Sequence, residues 1–126
     1  MTGDTDRATQ RVGLSRATLR RADEAPFGTA IRAGARLVMT SSAFYPALDR
    51  RHPALLSWAI TTGELRGRLH FNGVAMTDDL DAASPRAIAG PGALAVAATA
   101  AGNDVLLFAH DALSSKIGRA SCRERV

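Results

Sequence analysis

Apolar residues in this chain gather in three short uninterrupted runs, residues 37–39, 74–76 and 105–108, each preceded by glycine or a charged residue. Short runs without polar alternation predict strands buried on both faces, here over residues 35–40, 74–76 and 103–108. Between them the apolar spacing turns helical. Residues 24–34 carry Pro26 in a first turn, an apolar face of Phe27, Ala30, Ile31 and Ala33, and Gly34 where a helix would end. Residues 55–69 place Leu56, Ala59, Ile60 and Leu65 on one face, with Arg66 and Arg68 in the last turns to complement the dipole. Residues 94–101 form a small-residue helix stopped by Gly102, and Ser15 caps a short turn reaching Arg20. Residues 1–10, 41–49 and 82–92 read as loops. The order loop, α, β, α, β, α, β predicts an α/β fold with parallel strands and right-handed crossovers. Three strands make either a small βαβ sandwich or part of a larger sheet, since the outer strands need cover.

Composition narrows the class. The chain has 126 residues, 46% hydrophobic and 22% charged, as one modest globular domain would. No apolar run approaches the ~20 residues of a membrane-spanning helix, and the polar start has no signal-peptide character. The net charge of +4 invites a nucleic-acid reading, but residues 115–126 alone carry a net +3. The body is nearly neutral, which argues against nucleic acid as a partner. Cys122 is the single cysteine and lies in that same tail, so an intrachain disulfide or cysteine cluster is ruled out. The tail is therefore set apart from a body of residues 1–114.

The chemistry concentrates where the second strand ends, at Thr77, Asp78, Asp79 and Leu80. Parallel α/β enzymes place reactive groups at the C-terminal edge of the sheet, and long strand-to-helix connections suit functional loops there. Adjacent strand residues point to opposite faces, so Asp78 and Asp79 have different roles, one reactive and one orienting or capping.

Residues 65–80, Leu-Arg-Gly-Arg-Leu-His-Phe-Asn-Gly-Val-Ala-Met-Thr-Asp-Asp-Leu, resemble the active-site signature of glycoside hydrolase family 3. That signature joins a basic helix end, a Phe-x-Gly turn, an apolar strand and Ser/Thr-Asp-Asp-Leu. Pro26-Phe27, Ala30-Ile31 and Ala33-Gly34 are similar to the family's helix before strand six, and residues 45–49, Tyr-Pro-Ala-Leu-Asp, to its loop after strand six. Residues 92–102 and 104–108 resemble the approach to strand eight and that strand. Glu64 departs from the pattern, where an aliphatic residue is usual.

The resemblance implies the last three βα units of a (β/α)8 TIM barrel, an incomplete barrel of three parallel strands with flanking helices. Its nearest branch is the β-N-acetylhexosaminidase-like one, which removes terminal β-linked sugars with retention and uses no metal or cofactor. Asp78 then falls at the nucleophile position, with Ser42, Tyr45 and His110 as substrate-binding candidates. Ser42 stands where many relatives carry a histidine. The branch's acid/base pattern, Gly-Asp-Thr-x-x-Asp-Ser-His, begins well at Gly3, Asp4 and Thr5 but places Ala8, Thr9 and Gln10 at Asp-Ser-His. Gln10 cannot shuttle a proton, which leaves Asp4 or Asp6 as substitutes, or a non-catalytic carbohydrate-binding or scaffold role. The strand-five Lys-His segment that holds the sugar has no counterpart, so the chain alone is expected to be inactive. His52 and His70 read as surface residues, Phe44 as packing or lining its loop, and Trp58 as helix core. Residues 115–126 resemble a translated sequencing adapter, a non-native or disordered basic tail. No compartment follows from any of this.

Overall fold

The computed structural model describes residues 4–109. Three strands, β1 (Leu37–Thr40), β2 (Val74–Asp79) and β3 (Val105–Leu107), form one parallel sheet in the order β1-β2-β3. Helix Ala25–Arg32 lies within the interval the periodicity assigned to it, Ala59–Arg68 covers only the later part of 55–69, and Pro91–Ala101 starts earlier than the expected 94, inside the stretch read as loop. Gly34 and Gly102 do end helices, with φ of 98° and 107° in the left-handed region that favours glycine. A Cβ on Gly102 would also lie 2.4 Å from the Thr62 hydroxyl.

One face of the sheet is packed. Val38 and Ala75 meet Ile31, Leu65, Leu69 and Phe71, while Leu55, Leu56, Leu80, Leu94 and Ala98 form a second cluster under β3. Leu37, Met39, Val74 and Val105, on the alternate positions, are 39–54% exposed. The register sets Leu37 beside Val74, and Met39 beside Met76 and Val105, so these side chains form one continuous apolar face. That is the face a closed barrel turns inward.

Several expectations need correction. Residues 55–69 are not one helix. Ala54–Leu56 is a tight turn, Ser57 is extended, and the segment Ala59–Arg68 is wound more widely than an α-helix, ending with the Leu69 N–H on the Glu64 carbonyl. The break arises because the Ser57 hydroxyl donates to Asp49 Oδ2 at 2.7 Å and accepts from the Ile60 N–H. Trp58 sits at that break and is 63% exposed, not core. Phe27 likewise faces outward, because Gly28 is the buried position of its helix, against Leu69. The 82–92 loop contains a helical turn, Ala83–Arg86, whose Ser84 and Pro85 are buried. His52 and His70 are exposed, and Phe44 is buried beneath the Arg11 guanidinium, 4.5 Å from its ring centre. Glu64 is answered by arginines: Arg20 reaches it at 2.6 Å and Arg68 bridges it to Glu24.

Asp49 organises the turn before the Ala59–Arg68 helix. Burial alone would raise its carboxyl, but the Arg51 N–H, the Ser57 hydroxyl and His52 outweigh it and bring it from 3.8 to about 2. A folded value below the unfolded one stabilises the protein above pH ~4, and that contribution fades as pH falls toward ~2. Urea midpoints measured from pH 6 to 2 are therefore expected to separate native chain from Asp49→Asn at the upper end and to converge through this window. A constant separation down to pH 2 would contradict the assignment.

Candidate active site

The site grows from an irregularity in β2. Met76 pairs with Val105 and Asp79 with Leu107, so three steps along β2 match two along β3, and one extra residue is inserted between them. Such a bulge interrupts the ladder and re-aims side chains. Thr77 repairs it: its buried hydroxyl oxygen accepts the Leu107 N–H at 3.0 Å, in place of a main-chain carbonyl. The Leu107 carbonyl then accepts the Leu80 N–H at 2.9 Å, closing the pair beyond the bulge.

Asp78, partly buried, is held at both oxygens. Oδ2 accepts the Ser42 hydroxyl at 2.9 Å, and Oδ1 accepts the Asp79 N–H at 2.9 Å. Asp79 takes the capping role: its Oδ1 receives the N–H groups of Asp81 at 2.9 Å and Ala109 at 3.0 Å, tying the turns after β2 and β3 together. Adjacent carboxylates thus separate into one presented by a hydroxyl and one engaged by backbone.

The N-terminal segment lies along the same end of the sheet. Gln10 and Val12 pair with Phe44 through their backbones, and the Asp6 carbonyl accepts the Ala83 N–H at 3.2 Å. Asp4 is occupied, accepting the Asp6 N–H at one oxygen and facing Arg7 at the other. The backbone contacts to Ala83 and Phe44 bring residues 4–12 onto the loops that follow β2 and β1. Tyr45 lines a mainly apolar cleft together with Leu19, Leu48 and Ile60. Among the described residues no hydrogen bond joins it to the Asp78 carboxylate. His110 lies outside the described residues. Thr77 is marked by its motif but not in this role, and Ser84 carries no signal in the sequence, since both hydroxyls act across elements. A group of three or more potential metal ligands is absent among the described residues, and no helix among them is long and apolar enough to cross a membrane.

Thr77 can be tested directly. Thr77→Val keeps the shape and removes the acceptor, leaving the partly buried Leu107 N–H without it at a cost of about 1–3 kcal/mol. Thr77→Ser should retain most of that stability in chemical denaturation. Equal loss in both variants would mean that packing by the methyl group, not the hydroxyl, holds the bulge.

A parallel βα sheet whose central strand ends in a held carboxylate, flanked by a capping one, is the arrangement seen at the C-terminal edge of α/β-barrel sheets. Residues 1–121 match the glycosyl hydrolase family 3 N-terminal domain, and the chain belongs to that family. It is similar to an uncharacterized secreted glycosyl hydrolase of Arthroderma benhamiae, 45% identical over 104 residues, covering 82% of this chain and 30% of the relative. It is also similar to a beta-hexosaminidase of Xylella fastidiosa, 38% identical over 109 residues, with coverages of 82% and 32%. Among solved structures, a family 3 beta-N-acetylglucosaminidase from a Paenibacillus species superposes with a TM-score of 0.92 at 34% identity, covering 98% of this chain and 24% of that one. A beta-N-acetylhexosaminidase from Beutenbergia cavernae gives 0.84 at 34% identity, with coverages of 98% and 36%. The chain spans about a third of the length of these curated relatives.

Proposed function

We propose that this chain supplies the nucleophile-bearing part of a retaining glycosidase that releases terminal β-linked sugars, N-acetylglucosamine in the first instance. The observation that carries the reading is the Asp78 carboxylate, fixed at both oxygens at the C-terminal end of β2. A retaining glycosidase needs a carboxylate that attacks the anomeric carbon and departs again when water hydrolyses the glycosyl-enzyme. Hydrogen-bonded at both oxygens on a rigid strand, Asp78 meets that need. The likeness to named hexosaminidases and N-acetylglucosaminidases supports the choice of sugar.

The second group of the reaction is a proton donor to the leaving oxygen. Ala8, Thr9 and Gln10 do not provide one, so poor leaving groups should react slowly while activated aryl or fluoride leaving groups react well. That same substitution favours a second reading, a fold that binds carbohydrate without hydrolysing it.

The test grafts residues 4–109 into the Beutenbergia cavernae enzyme in place of its matching segment. Hydrolysis of an aryl N-acetylglucosaminide by the folded graft is the expected result. Saccharide binding with no hydrolysis, even of an activated aryl glycoside, would overturn it in favour of the second reading.

A further inference from the structure

We infer that Ser42 is a positioning residue, whose hydroxyl sets the plane in which the Asp78 carboxylate meets the sugar, and that Ser84 holds Ser42 in place. The inference rests on the reading of Asp78 as nucleophile, but its geometry stands on its own. Ser42 and Ser84 are both fully buried, at 0% exposure. The Ser84 hydroxyl donates to the Ser42 carbonyl at 3.0 Å, and the Ser42 hydroxyl donates to Asp78 Oδ2 at 2.9 Å. Ser84 sits in the helical turn that follows β2, so the chain leaving Asp78 reaches across to the end of β1 and fixes the residue that returns to Asp78. The result is a closed ring of contacts through two strands and one turn. Buried polar networks that are fully satisfied in this way hold a single arrangement.

Two donors from different directions restrict a carboxylate more than either alone. The Asp79 N–H comes from the next residue and moves with the strand, so by itself it leaves the side chain free to swing about χ1. The Ser42 hydroxyl comes from the loop just past β1 and opposes that swing. Its hydroxyl is engaged by the carboxylate and its side chain has no exposed surface, so it acts through Asp78. The expected sign is on the chemical step, because a misplaced reacting atom costs rate with little effect on binding.

The experiment measures three-bond couplings that report χ1 of Asp78 in the isotope-labelled 126-residue chain. The native chain and Ser42→Thr, which keeps the hydroxyl, are expected to show one staggered rotamer. Ser42→Ala should show averaged couplings, and Ser84→Ala a smaller averaging, with distant signals such as Gly102 unmoved. Native couplings in a folded Ser42→Ala chain would overturn the inference. Should Ser42→Ala not fold, Ser84→Ala decides in the same way. In the graft, Ser42→Ala is expected to lower kcat about 10- to 100-fold with KM nearly unchanged. A raised KM at unchanged kcat would instead make Ser42 a sugar-binding group and overturn it. Averaged couplings in Ser42→Ala, together with a graft that never reacts at Asp78, would uphold the positioning role and reject the nucleophile reading.

Discussion

Asp78→Asn in the graft is expected to reduce hydrolysis of an activated aryl N-acetylglucosaminide by about 10⁴-fold or more, ~5 kcal/mol of transition-state stabilisation. The amide is nearly the same size as the carboxylate. It keeps one oxygen for the Asp79 N–H, and the Ser42 hydroxyl can turn from donating to accepting at the new NH2 group. The fold should therefore persist with little change in stability. What disappears is the negative charge that stabilises the oxocarbenium-like transition state and the electron pair that forms the glycosyl-enzyme bond. Asp79→Asn is the matched control. It keeps the Oδ1 that caps Asp81 and Ala109, so the fold should persist here too, and it should leave the chemical step far less affected. A larger rate loss in Asp79→Asn than in Asp78→Asn would reverse the assignment of the two acids.

The second large effect is structural. Asn103 is 5% exposed and bonds three elements at once. Its Oδ1 accepts the Thr40 hydroxyl at 2.8 Å, and its amide donates to the carbonyls of Leu55 at 2.8 Å and Ala98 at 2.9 Å. β1, the Ala54–Leu56 turn and the end of the Pro91–Ala101 helix meet at this side chain. Asn103→Leu leaves the Leu55 carbonyl without a partner, at about 1–3 kcal/mol, and removes a bond of about 1 kcal/mol each from the Thr40 hydroxyl, which keeps the Met76 carbonyl, and the Ala98 carbonyl, which keeps the residue 103 N–H. A total of ~3–5 kcal/mol is a large share of the stability of a typical domain, ~5–15 kcal/mol. Loss of the cooperative unfolding transition, or its displacement to much lower urea, is the expected result. Thr40→Val removes the hydroxyl's bonds to Asn103 and to the Met76 carbonyl but leaves the Leu55 and Ala98 carbonyls paired, and should fall short of that. Similar losses in the two variants would show that Asn103 does not act as a hub.

The order and direction of the strands are legible in the sequence because they follow from local pattern. The runs at 37–39, 74–76 and 105–108 lie on the three strands, and parallel pairing follows from helices between them. Gly34 and Gly102 are legible for a backbone reason, since helix ends that need positive φ select glycine. What stays hidden depends on partners distant in the chain. The break at Ser57 follows from Asp49 across the turn, a preference no helical periodicity can express. Trp58 reads as core by its chemistry, yet it falls at that break and points outward.

The same division runs through the site. Asp78 is visible from its strand and its flanking motif, and its separation in role from Asp79 follows from alternation along a strand. The roles of the hydroxyls around it are not visible. Thr77 acts because β2 carries an extra residue against β3, and Ser84 acts because a helical turn forms within what reads as a loop. Ser42 is legible as a site position but as a sugar contact, whereas its buried hydroxyl is engaged by the carboxylate itself. Tyr45 follows the family motif in sequence and lines an apolar cleft with Leu19 and Leu48 that no sequence pattern indicates.

The central claim is that Asp78 forms a covalent bond to the sugar. The most direct measurement treats the graft with an N-acetylglucosaminide carrying ring fluorine and an activated leaving group, then digests it and sequences the labelled peptide by mass spectrometry. Fluorine slows both steps, the good leaving group restores the first, and the missing acid/base histidine slows the second, so the adduct should accumulate. One sugar on Asp78, within the tryptic peptide 69–86, is the predicted result. Release of the leaving group with no adduct, or an adduct on Asp79 or Asp81, would contradict it.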